Sequence, residues 1–351
     1  MTGLLASLPP PPAGLTGWPW TVESPELPAE AAPSVPWPRI AIVTPSFRQG
    51  HFIEETIRSI LLQNYPNLEY YVMDGGSQDS TVEILRKYEP WLAGWVSEKD
   101  RGQTHALNKG FGRSSGKAAI HAYINSDDYY QPGAFEKAAR AFLADPKLGI
   151  YHGRCRYITE DGTPTGTDHQ GDLTSYTQVL NVWENWWRGK QFIQPEVFWN
   201  GDLHRQIGDF REELFYVMDF EFWLRLFRAG ATVRRVEDQL ATFRVLASQK
   251  SAQKEKLSRE MLTKVIGPEL EDPKAPIDPG PLSKMRDRFR YHGFLHLADD
   301  SAQKGEGRLC RYTRLAGYVG RYPRILRIPN CRRRIASLLT GRISPPERPQ
   351  A

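Results

Sequence analysis

The strongest constraint on the fold is an alternation of short apolar runs with amphipathic stretches between Arg39 and about Ile150. Parallel strands connected by crossover helices produce this pattern, because each strand is buried between helices and each helix covers the sheet with one apolar face. We predict four such strands, with the sequences RIAIVTPSF, LEYYVMD, AGWVS and AAIHAYINS. The predicted fold is therefore α/β and Rossmann-like, with a central, mostly parallel sheet flanked by helices.

The sequence beyond residue 150 has a different texture. The Gly- and Thr-rich residues 160–172 predict a loop, and residues 181–189 concentrate tryptophan. The segment DFEFWLRLFRAG predicts a strongly apolar helix that begins at Asp219 and is capped by Gly230, a residue type favoured just after a helix. We predict that residues 251–351 form a helical, basic extension.

The two ends of the chain have unusual compositions. Residues 1–38 contain ten of the 27 prolines and no Lys or Arg, which predicts a flexible arm rather than a secretory signal, since a signal needs a basic start and an unbroken apolar core. Residues 301–351 hold 12 Lys and Arg against two Asp and Glu, a net charge of +10. Because the whole chain carries +5, the other 300 residues carry −5.

Two interpretations of the basic tail stay open. Its arginines are interleaved with Leu, Ile and Tyr, as in an interfacial helix that binds an anionic membrane. The same pattern fits an Arg-rich helix that packs on the rest of the protein with its charges in water. No feature besides charge supports a nucleic-acid partner.

With no export signal and no apolar stretch of about 20 residues, we expect a cytoplasmic protein, or one peripheral to the inner face of the membrane.

Polar residues follow the predicted strands, at the edge where open α/β sheets bind ligands. They are Thr44-Pro45-Ser46, Asp74-Gly75-Gly76-Ser77, Asp100-Arg101-Gly102 and Asn125-Ser126-Asp127-Asp128. Each group alone is typical of a capped turn, but the presence of all four groups at one sheet edge favours a binding site. Asp127 and Asp128 repel each other unless a cation or hydrogen bonds hold them, and oxygen ligands of this type suit Mg²⁺ or Mn²⁺.

The sequence lacks the usual backbone phosphate-binding loops. The pattern GxxxxGK[ST] is absent, and GGSQDS does not have the spacing of a dinucleotide-binding loop. These absences argue against a P-loop ATPase and against a dehydrogenase. They favour a carboxylate-bound metal as the anchor of a diphosphate, with Asp74 placed to accept hydrogen bonds from a base or ribose.

Six motifs in order closely resemble family 2 glycosyltransferases of the GT-A fold, over roughly residues 39–250. They are IAIVTPSF, VMDGGSQDST, SEKDRGQTHALNKGF, INSDDYYQPGAF, QPEVFW and MDFEFWLRL. The resemblance implies nucleotide contacts by Thr44, Pro45, Ser46 and Asp74, and a donor pocket lined by Asp100, Gly102, Gln103 and Asn108. It also implies a DxD-type metal motif, in which Asp128 is the preferred ligand of Mg²⁺ or Mn²⁺ and Asp127 lies nearer the ribose.

Asp219 matches the family position of the general base. An inverting transferase needs one carboxylate to take the proton of the acceptor hydroxyl, while the metal neutralises the departing diphosphate. A plain N-cap at the start of the helix is the alternative role for Asp219. Glu221 and Glu196 are the rival bases.

The acceptor or sugar pocket is the least defined part of the predicted site. The resemblance suggests that the segment containing Gln194 and Glu196 shapes this pocket, and we add Trp187 as a candidate. The partly helical spacing of Trp183, Trp186 and Trp187 fits a protein core as well as an aromatic platform for the acceptor.

One position departs from the family pattern. Many relatives carry YR-x-H after the base helix, with a His that can join the metal, whereas this chain has Phe243-Arg244-Val245-Leu246. Leu246 cannot bind a metal. Lys250 or Arg244 could replace that His electrostatically at the diphosphate.

The resemblance implies an inverting, metal-dependent glycosyltransferase. It would move a sugar from a nucleoside diphosphate, preferentially UDP, to a hydroxyl of a saccharide or lipid-linked acceptor in polysaccharide or glycoconjugate biosynthesis. The predicted units are the arm (1–38), a nucleotide-sugar-binding half (39–150), an acceptor-binding half with the base (151–250) and the extension (251–351). The alternatives are a sugar-1-phosphate nucleotidyltransferase and a non-catalytic nucleotide-sugar-binding protein. The first would need a Gly-rich basic loop, and TPSFRQG holds one Gly and one Arg.

Overall fold

The computed structural model describes residues 3–114, 116, 118–304, 306–328 and 331–340. Nine strands in this part of the chain form one sheet. They are β1 Ile40–Ser46, β2 Leu68–Asp74, β3 Gly94–Ser97, β4 Ile120–Tyr123, β5 Tyr129–Tyr130, β6 Leu148–Ile158, β7 Pro164–Gln170, β8 Val197–Asn200 and β9 Thr232–Arg244. Their spatial order is β3-β2-β1-β4-β8-β6-β9-β5, with β7 paired to β6.

The first four strands confirm the predicted parallel sheet. β1 pairs in parallel with β2 on one side and with β4 on the other, and β3 pairs in parallel with β2. Ile40, Ala41, Ile42 and Val43 are fully buried, as expected for a strand covered on both faces. The strand order changes direction at β1, which opens a crevice at the carboxyl ends of β1 and β4.

The sheet continues into the second half of the chain through β8. This strand runs antiparallel to both β4 and β6, and β9 runs parallel to β6. β6 and β9 therefore point in the same direction as β1 to β4. Their carboxyl ends share one sheet edge with the beginning of β8, so that this edge collects residues from both halves of the chain.

The prediction of a loop over residues 160–172 is wrong in part. β7 pairs antiparallel with β6, and the turn between them is closed by a hydrogen bond from Thr163 N–H to Asp161 Oδ1 at 3.1 Å. Most side chains of β7 are exposed, so backbone hydrogen bonds hold the strand. The sequence therefore lacks the apolar alternation that would have indicated a strand.

Helices cover the sheet and form the end of the chain. Those of the described residues are α1 Ile53–Leu61, α2 Thr81–Tyr88, α3 Gln103–Arg113, α4 Ala134–Ala144, α5 Tyr176–Leu180, α6 Gly201–Ile207, α7 Met218–Arg228, α8 Lys254–Glu260, α9 Gly267–Glu271, α10 Pro279–Gln303, α11 Arg308–Arg321 and α12 Cys331–Thr340. The helix predicted at Asp219 is α7, and Gly230 follows it with a φ of +90°, a conformation that suits glycine.

The helical C-terminal extension is confirmed. Side chains of α10 to α12 and the turn before α12 build a small apolar core of their own, which contains Phe294, Ala298, Leu315, Ile325, Cys331 and Ile335. Residues 341–351 of the basic tail lie outside the described residues. Within the described part of the chain, no helix is long and apolar enough to cross a membrane.

Residues 3–38, for which we predicted a flexible arm, lie against α1 in the structure. Arg58 of α1 is fully buried, and its guanidinium donates to the carbonyl oxygens of Pro9, Pro19 and Trp20 at 2.9, 3.0 and 2.7 Å. Proline disfavours regular secondary structure but keeps its carbonyl group as an acceptor. The composition of the segment therefore does not reveal that it docks.

Candidate functional site

The candidate site lies at the carboxyl ends of β1, β2 and β3, where Ser46, Asp74 and Ser97 stand next to one another in register. Asp74 is fully buried and accepts four hydrogen bonds. The donors are Gly76 N–H at 3.1 Å, Ser77 N–H at 2.8 Å, the Ser77 hydroxyl at 2.5 Å and the Ser97 hydroxyl at 2.6 Å. Asp74 therefore shapes the turn after β2, and its contact with a nucleotide stays a prediction.

The end of β1 presents Thr44, Pro45 and Ser46, all buried. Thr44 Oγ1 accepts a hydrogen bond from the Tyr70 hydroxyl at 3.1 Å. Ser46 Oγ is buried and has no hydrogen-bond partner among the described residues. Leaving a buried hydroxyl unpaired costs about 1–3 kcal/mol, so a polar ligand group at the end of β1 would relieve that cost.

The loop after β3 brings Asp100, Gly102 and Gln103 to the same edge. Asp100 Oδ1 accepts from Gly102 N–H at 2.8 Å, and a Cβ added to Gly75 would lie 3.1 Å from Asp100 Oδ2. The loops after β2 and β3 are therefore in contact. Gly102 has a φ of +115°, a conformation that glycine adopts without strain and that turns the chain into α3.

The side chain of Asn108 on α3 bonds to the backbone before α7. Its amide exchanges two hydrogen bonds with the backbone of Phe210, at 2.8 Å from Nδ2 to the carbonyl and at 2.9 Å from the N–H to Oδ1. Both polar atoms of the side chain are thereby committed. Asn108 therefore fastens α3 to the segment that leads into α7, and its place in a donor pocket stays a prediction.

Asp127 and Asp128 lie in the turn after β4, with only 7% and 1% of their surface exposed. Asp127 Oδ2 accepts from Gln249 Nε2 at 3.1 Å, and Asp128 Oδ1 accepts from Arg244 N–H at 2.8 Å. Burial raises the pKa of both carboxyl groups, and the charge of Asp127 raises the pKa of Asp128 further. Two carboxylates in this environment favour a nearby cation.

This carboxylate pair fits a hard divalent cation. One oxygen of each carboxylate accepts a hydrogen bond of 2.8–3.1 Å, and the second oxygen of Asp128 has a longer contact of 3.5 Å with Asn125 Nδ2. In the part of the chain that the structure describes, no group of three or more His, Cys, Asp or Glu side chains is arranged to hold a metal ion. Further ligands would therefore come from donor phosphates and water, as is usual for Mg²⁺.

A chain of polar side chains joins the donor loop to the carboxylate pair. Lys250 Nζ donates to Gln103 Oε1 at 3.1 Å, and Gln103 Nε2 donates to Asn125 Oδ1 at 2.6 Å. Asn125 Nδ2 then lies 3.5 Å from Asp128 Oδ2 and 3.4 Å from Gln194 Oε1, so that Gln194 lies next to this network. Sequence reasoning missed this network because Lys250 and Gln103 are 147 positions apart.

Asp219 lies in the first turn of α7, where its Oδ1 accepts from Phe220 N–H at 2.7 Å. Burial raises the pKa of Asp219, and the Phe220 N–H and the Lys250 ammonium partly oppose the rise. Burial also raises the pKa of the Tyr123 phenol, and the charges of Asp219 and Asp128 raise it further. Both acids therefore stand near Tyr123 at the end of β4.

The two rival bases are held in other roles. Glu221 is buried and forms an ion pair with Arg225 at 2.9 Å on the same helix. Glu196 is fully buried and accepts from Ile193 N–H at 3.2 Å and from Gly171 N–H at 3.3 Å. Burial raises the pKa of Glu196 well above its usual range. This carboxyl group organises buried backbone, and a contribution of Glu196 to the acceptor pocket stays a prediction.

The tryptophan cluster packs against two different parts of the structure. Trp187 packs with its ring centroid 5.9 Å from Trp183 and 5.3 Å from His292 of α10. Trp187 therefore takes part in the packing against α10, and its role in the acceptor pocket stays a prediction. Trp186 instead packs edge-on against Phe220 at 5.0 Å, beside the candidate base.

The structure distinguishes the two basic residues that follow α7. The guanidinium of Arg244 pairs with Glu55 Oε2 at 2.5 Å. Lys250 instead donates to two neutral oxygen atoms, Gln103 Oε1 at 3.1 Å and the Phe215 carbonyl at 3.3 Å. Burial lowers the pKa of Lys250, because its ammonium is partly removed from water. Lys250 is therefore better placed than Arg244 to bind a new anion.

Part of the sequence matches a known protein family. Residues 41–211 match the family described as Glycosyl transferase family 2. TuaG of Bacillus subtilis (strain 168), a glycosyltransferase provisionally assigned to teichuronic acid biosynthesis, is 26% identical over 227 residues. The matched region covers 64% of this chain and 85% of TuaG.

Solved structures share the architecture. S. aureus TarS 1–349 in complex with UDP-GlcNAc has a TM-score of 0.54 and 16% identity, covering 86% of this chain and 84% of that one. The mannosyltransferase PcManGT from Pyrobaculum calidifontis, in complex with GDP-Man and Mn²⁺, has a TM-score of 0.54 and 18% identity, covering 92% of this chain and 89% of that one. These similarities confirm the predicted GT-A fold.

Proposed function

Because residues 41–211 place this chain in glycosyl transferase family 2, we propose that it is an inverting glycosyltransferase. It transfers a sugar from a nucleoside diphosphate, preferentially UDP, to a hydroxyl of a saccharide or lipid-linked acceptor in polysaccharide or glycoconjugate biosynthesis. The observation that carries this proposal is a chain of polar contacts from Lys250 through Gln103 and Asn125 to Asp128, together with the effect of the Lys250 charge on the pKa of Asp219. The UDP-GlcNAc and GDP-Man bound by the two structural neighbours support the donor class.

The reaction needs one base and stabilisation of one leaving group. The acceptor oxygen attacks the anomeric carbon as its proton passes to Asp219. The bond from that carbon to the donor phosphate oxygen breaks, the diphosphate leaves with the electron pair, and the configuration inverts. Burial raises the pKa of Asp219, so that its carboxylate is a stronger base than an exposed one.

Asp127 and Asp128 would hold a divalent cation, which stabilises the negative charge of the leaving diphosphate when bound. Lys250 would supply a second positive charge from the loop after β9, by exchanging its two neutral acceptors for phosphate oxygens. Such charge-assisted bonds are stronger than the neutral ones they replace. This role for Lys250 compensates for Leu246, which is apolar and buried where relatives carry His.

A donor panel tests the proposed function. The full chain, with Mg²⁺ or Mn²⁺, is assayed for release of UDP, GDP or dTDP from the corresponding sugars, with and without saccharide acceptors. We expect release from at least one donor, and its loss in Asp128→Ala and in Asp219→Asn. The control is Asp209→Asn, which changes an exposed aspartate just after α6. Full transfer by Asp219→Asn would remove the base assignment.

Two other outcomes would favour the alternative functions. A sugar-1-phosphate nucleotidyltransferase would release pyrophosphate from a nucleoside triphosphate and a sugar phosphate. A non-catalytic binding protein would be stabilised against heat by nucleotide sugars, as any native-state ligand stabilises a fold, and would show no turnover across the panel.

We further propose that the basic tail holds the protein at an anionic, cytoplasmic membrane surface. Leu309 and Tyr312 of α11 have 77% and 49% of their surface exposed, within a region of net charge +10. Exposed apolar groups among basic ones are typical of interfacial helices. The full chain should co-sediment with phosphatidylglycerol vesicles but not with phosphatidylcholine vesicles, and Leu309→Glu with Tyr312→Glu should reduce that binding. Equal binding to both vesicle types would contradict the proposal.

A further inference from the structure

The N-terminal segment, which lies outside the family match, contacts the loop that carries the carboxylate pair. Trp18 Nε1 donates to the Tyr130 carbonyl at 2.8 Å, and Gly133 N–H donates to Ser24 Oγ at 3.1 Å. Tyr130 lies two residues beyond Asp128. The segment therefore binds the backbone immediately after the proposed metal ligands.

Thr56 and Ser59 on one face of helix α1, together with Gln63 just after its end, hold the same stretch of backbone. The bonds run from Thr56 Oγ1 to the Asp128 carbonyl at 2.6 Å, from Tyr130 N–H to Ser59 Oγ at 3.2 Å, and from Gln63 Nε2 to the Gln131 carbonyl at 2.9 Å. The position of α1 therefore controls the position of the loop that begins at Asp127.

Arg58 joins the segment to this helix. Its guanidinium donates to the Pro9, Pro19 and Trp20 carbonyls, and it lies 3.0 Å from the Tyr88 hydroxyl. A buried guanidinium must have its donors satisfied, because an unpaired charge in the interior is strongly destabilising. The segment and α1 therefore depend on each other, and the loop after β4 depends on both.

We propose that residues 3–38 form a strap that positions Asp127 and Asp128, with Trp18 as its positioning residue. Metal ligands work only when neighbouring bonds hold them in the productive geometry. The strap supplies two such bonds directly and a third contribution through Arg58 and α1. The inference rests on the proposed function in one respect, that the carboxylate pair is the metal site.

The test compares Trp18→Phe with Trp37→Phe. The control removes an indole bond of the same length, 2.8 Å from Trp37 Nε1 to the Pro28 carbonyl, but that bond stays within the strap. Backbone hydrogen exchange of the full chain, followed by mass spectrometry, should become faster over residues 125–135 in Trp18→Phe and not in Trp37→Phe. Ser24→Ala, which removes the partner of Gly133 N–H, should have a smaller effect in the same region.

The second readout is Mn²⁺ binding, measured from the electron paramagnetic resonance signal of the free ion, with UDP present and in a parallel series with GDP. We expect about three- to tenfold weaker binding in Trp18→Phe, somewhat less than for loss of a direct partner of a ligand, and no change in Trp37→Phe.

Each outcome bears on a different part of the inference. Unchanged exchange over residues 125–135 in Trp18→Phe would overturn the strap. Faster exchange with unchanged Mn²⁺ affinity would overturn its positioning role. A wild-type protein that binds no Mn²⁺ with either nucleotide would overturn the metal assignment in the proposed function, and the exchange data would still decide whether the strap holds the loop.

Discussion

The burial of Arg58 predicts a large loss of stability in Arg58→Met. Methionine keeps much of the aliphatic stem but removes the bonds to Pro9, Pro19, Trp20 and Tyr88. A hydrogen bond from a charged donor contributes about 1.5–3 kcal/mol, and part of the sum is offset because the cost of burying the charge also disappears. We therefore expect the free energy of unfolding to fall by about 3 kcal/mol, within the range for a broken buried network.

Urea unfolding followed by tryptophan fluorescence measures this change as a shift of the midpoint. The control is Arg86→Met, which alters an exposed arginine on α2 and should change the free energy of unfolding by less than about 0.5 kcal/mol. In Arg58→Met, limited proteolysis should also cleave residues 3–38 sooner than in the wild type. A loss below about 1 kcal/mol would refute the reasoning that this guanidinium anchors the strap.

Three further predictions concern the site. Lys250→Gln should weaken binding of a nucleoside diphosphate about tenfold in calorimetry and leave binding of the nucleoside unchanged, because a charge-assisted bond to phosphate is lost. The control is the exposed Lys254→Gln. Equal losses of affinity for both ligands in Lys250→Gln would contradict the prediction. Since the pKa of Asp219 is raised, transfer should be lost as the pH falls through that pKa. The folded state binds the proton of the Asp219 carboxyl group more tightly than the unfolded chain, so ionisation of Asp219 destabilises the fold at neutral pH. Asp219→Asn should therefore have a higher melting temperature than the wild type. A lower melting temperature would argue against a raised pKa. Burial raises the pKa of Glu196 and thereby favours its neutral form, so we expect the neutral variant Glu196→Gln to keep both transfer and melting temperature. Glu196→Ala should lose about 1–3 kcal/mol of stability, because the N–H groups of Ile193 and Gly171 lose their acceptor. An inactive Gln variant with a normal melting temperature would show that the charge is needed.

The sequence predicted the first half of the fold well, because its strands are continuous apolar runs that end in polar turns. Ser46, Asp74 and Asp128 could be placed at one sheet edge from this pattern alone, since parallel strands bring their carboxyl ends together. The apolar periodicity of α7 likewise located Asp219 in the first turn of that helix. Local sequence patterns were sufficient to place a residue when its position depends only on where one strand or helix begins or ends.

The remaining features depend on contacts that no local pattern encodes. Asn108 and Trp187 have residue types suited to a pocket. The sequence does not reveal that Asn108 bonds to the backbone of Phe210 or that Trp187 packs against His292. The strap was missed for a different reason, because proline-rich composition reports on secondary structure and not on whether backbone carbonyls find a buried Arg58.

The continuous sheet restricts how this enzyme can move during turnover. β8 of the second half of the chain hydrogen-bonds to β4 of the first half, and Asn108 ties α3 to Phe210. A hinge motion between the two halves of the chain would have to break these bonds. The bonds therefore oppose domain closure. We expect residues 245–253 after β9, where Lys250 contacts Gln103, to enclose a bound donor instead. We expect the opening of this loop, and not a rotation of domains, to set the rate at which the spent nucleotide departs.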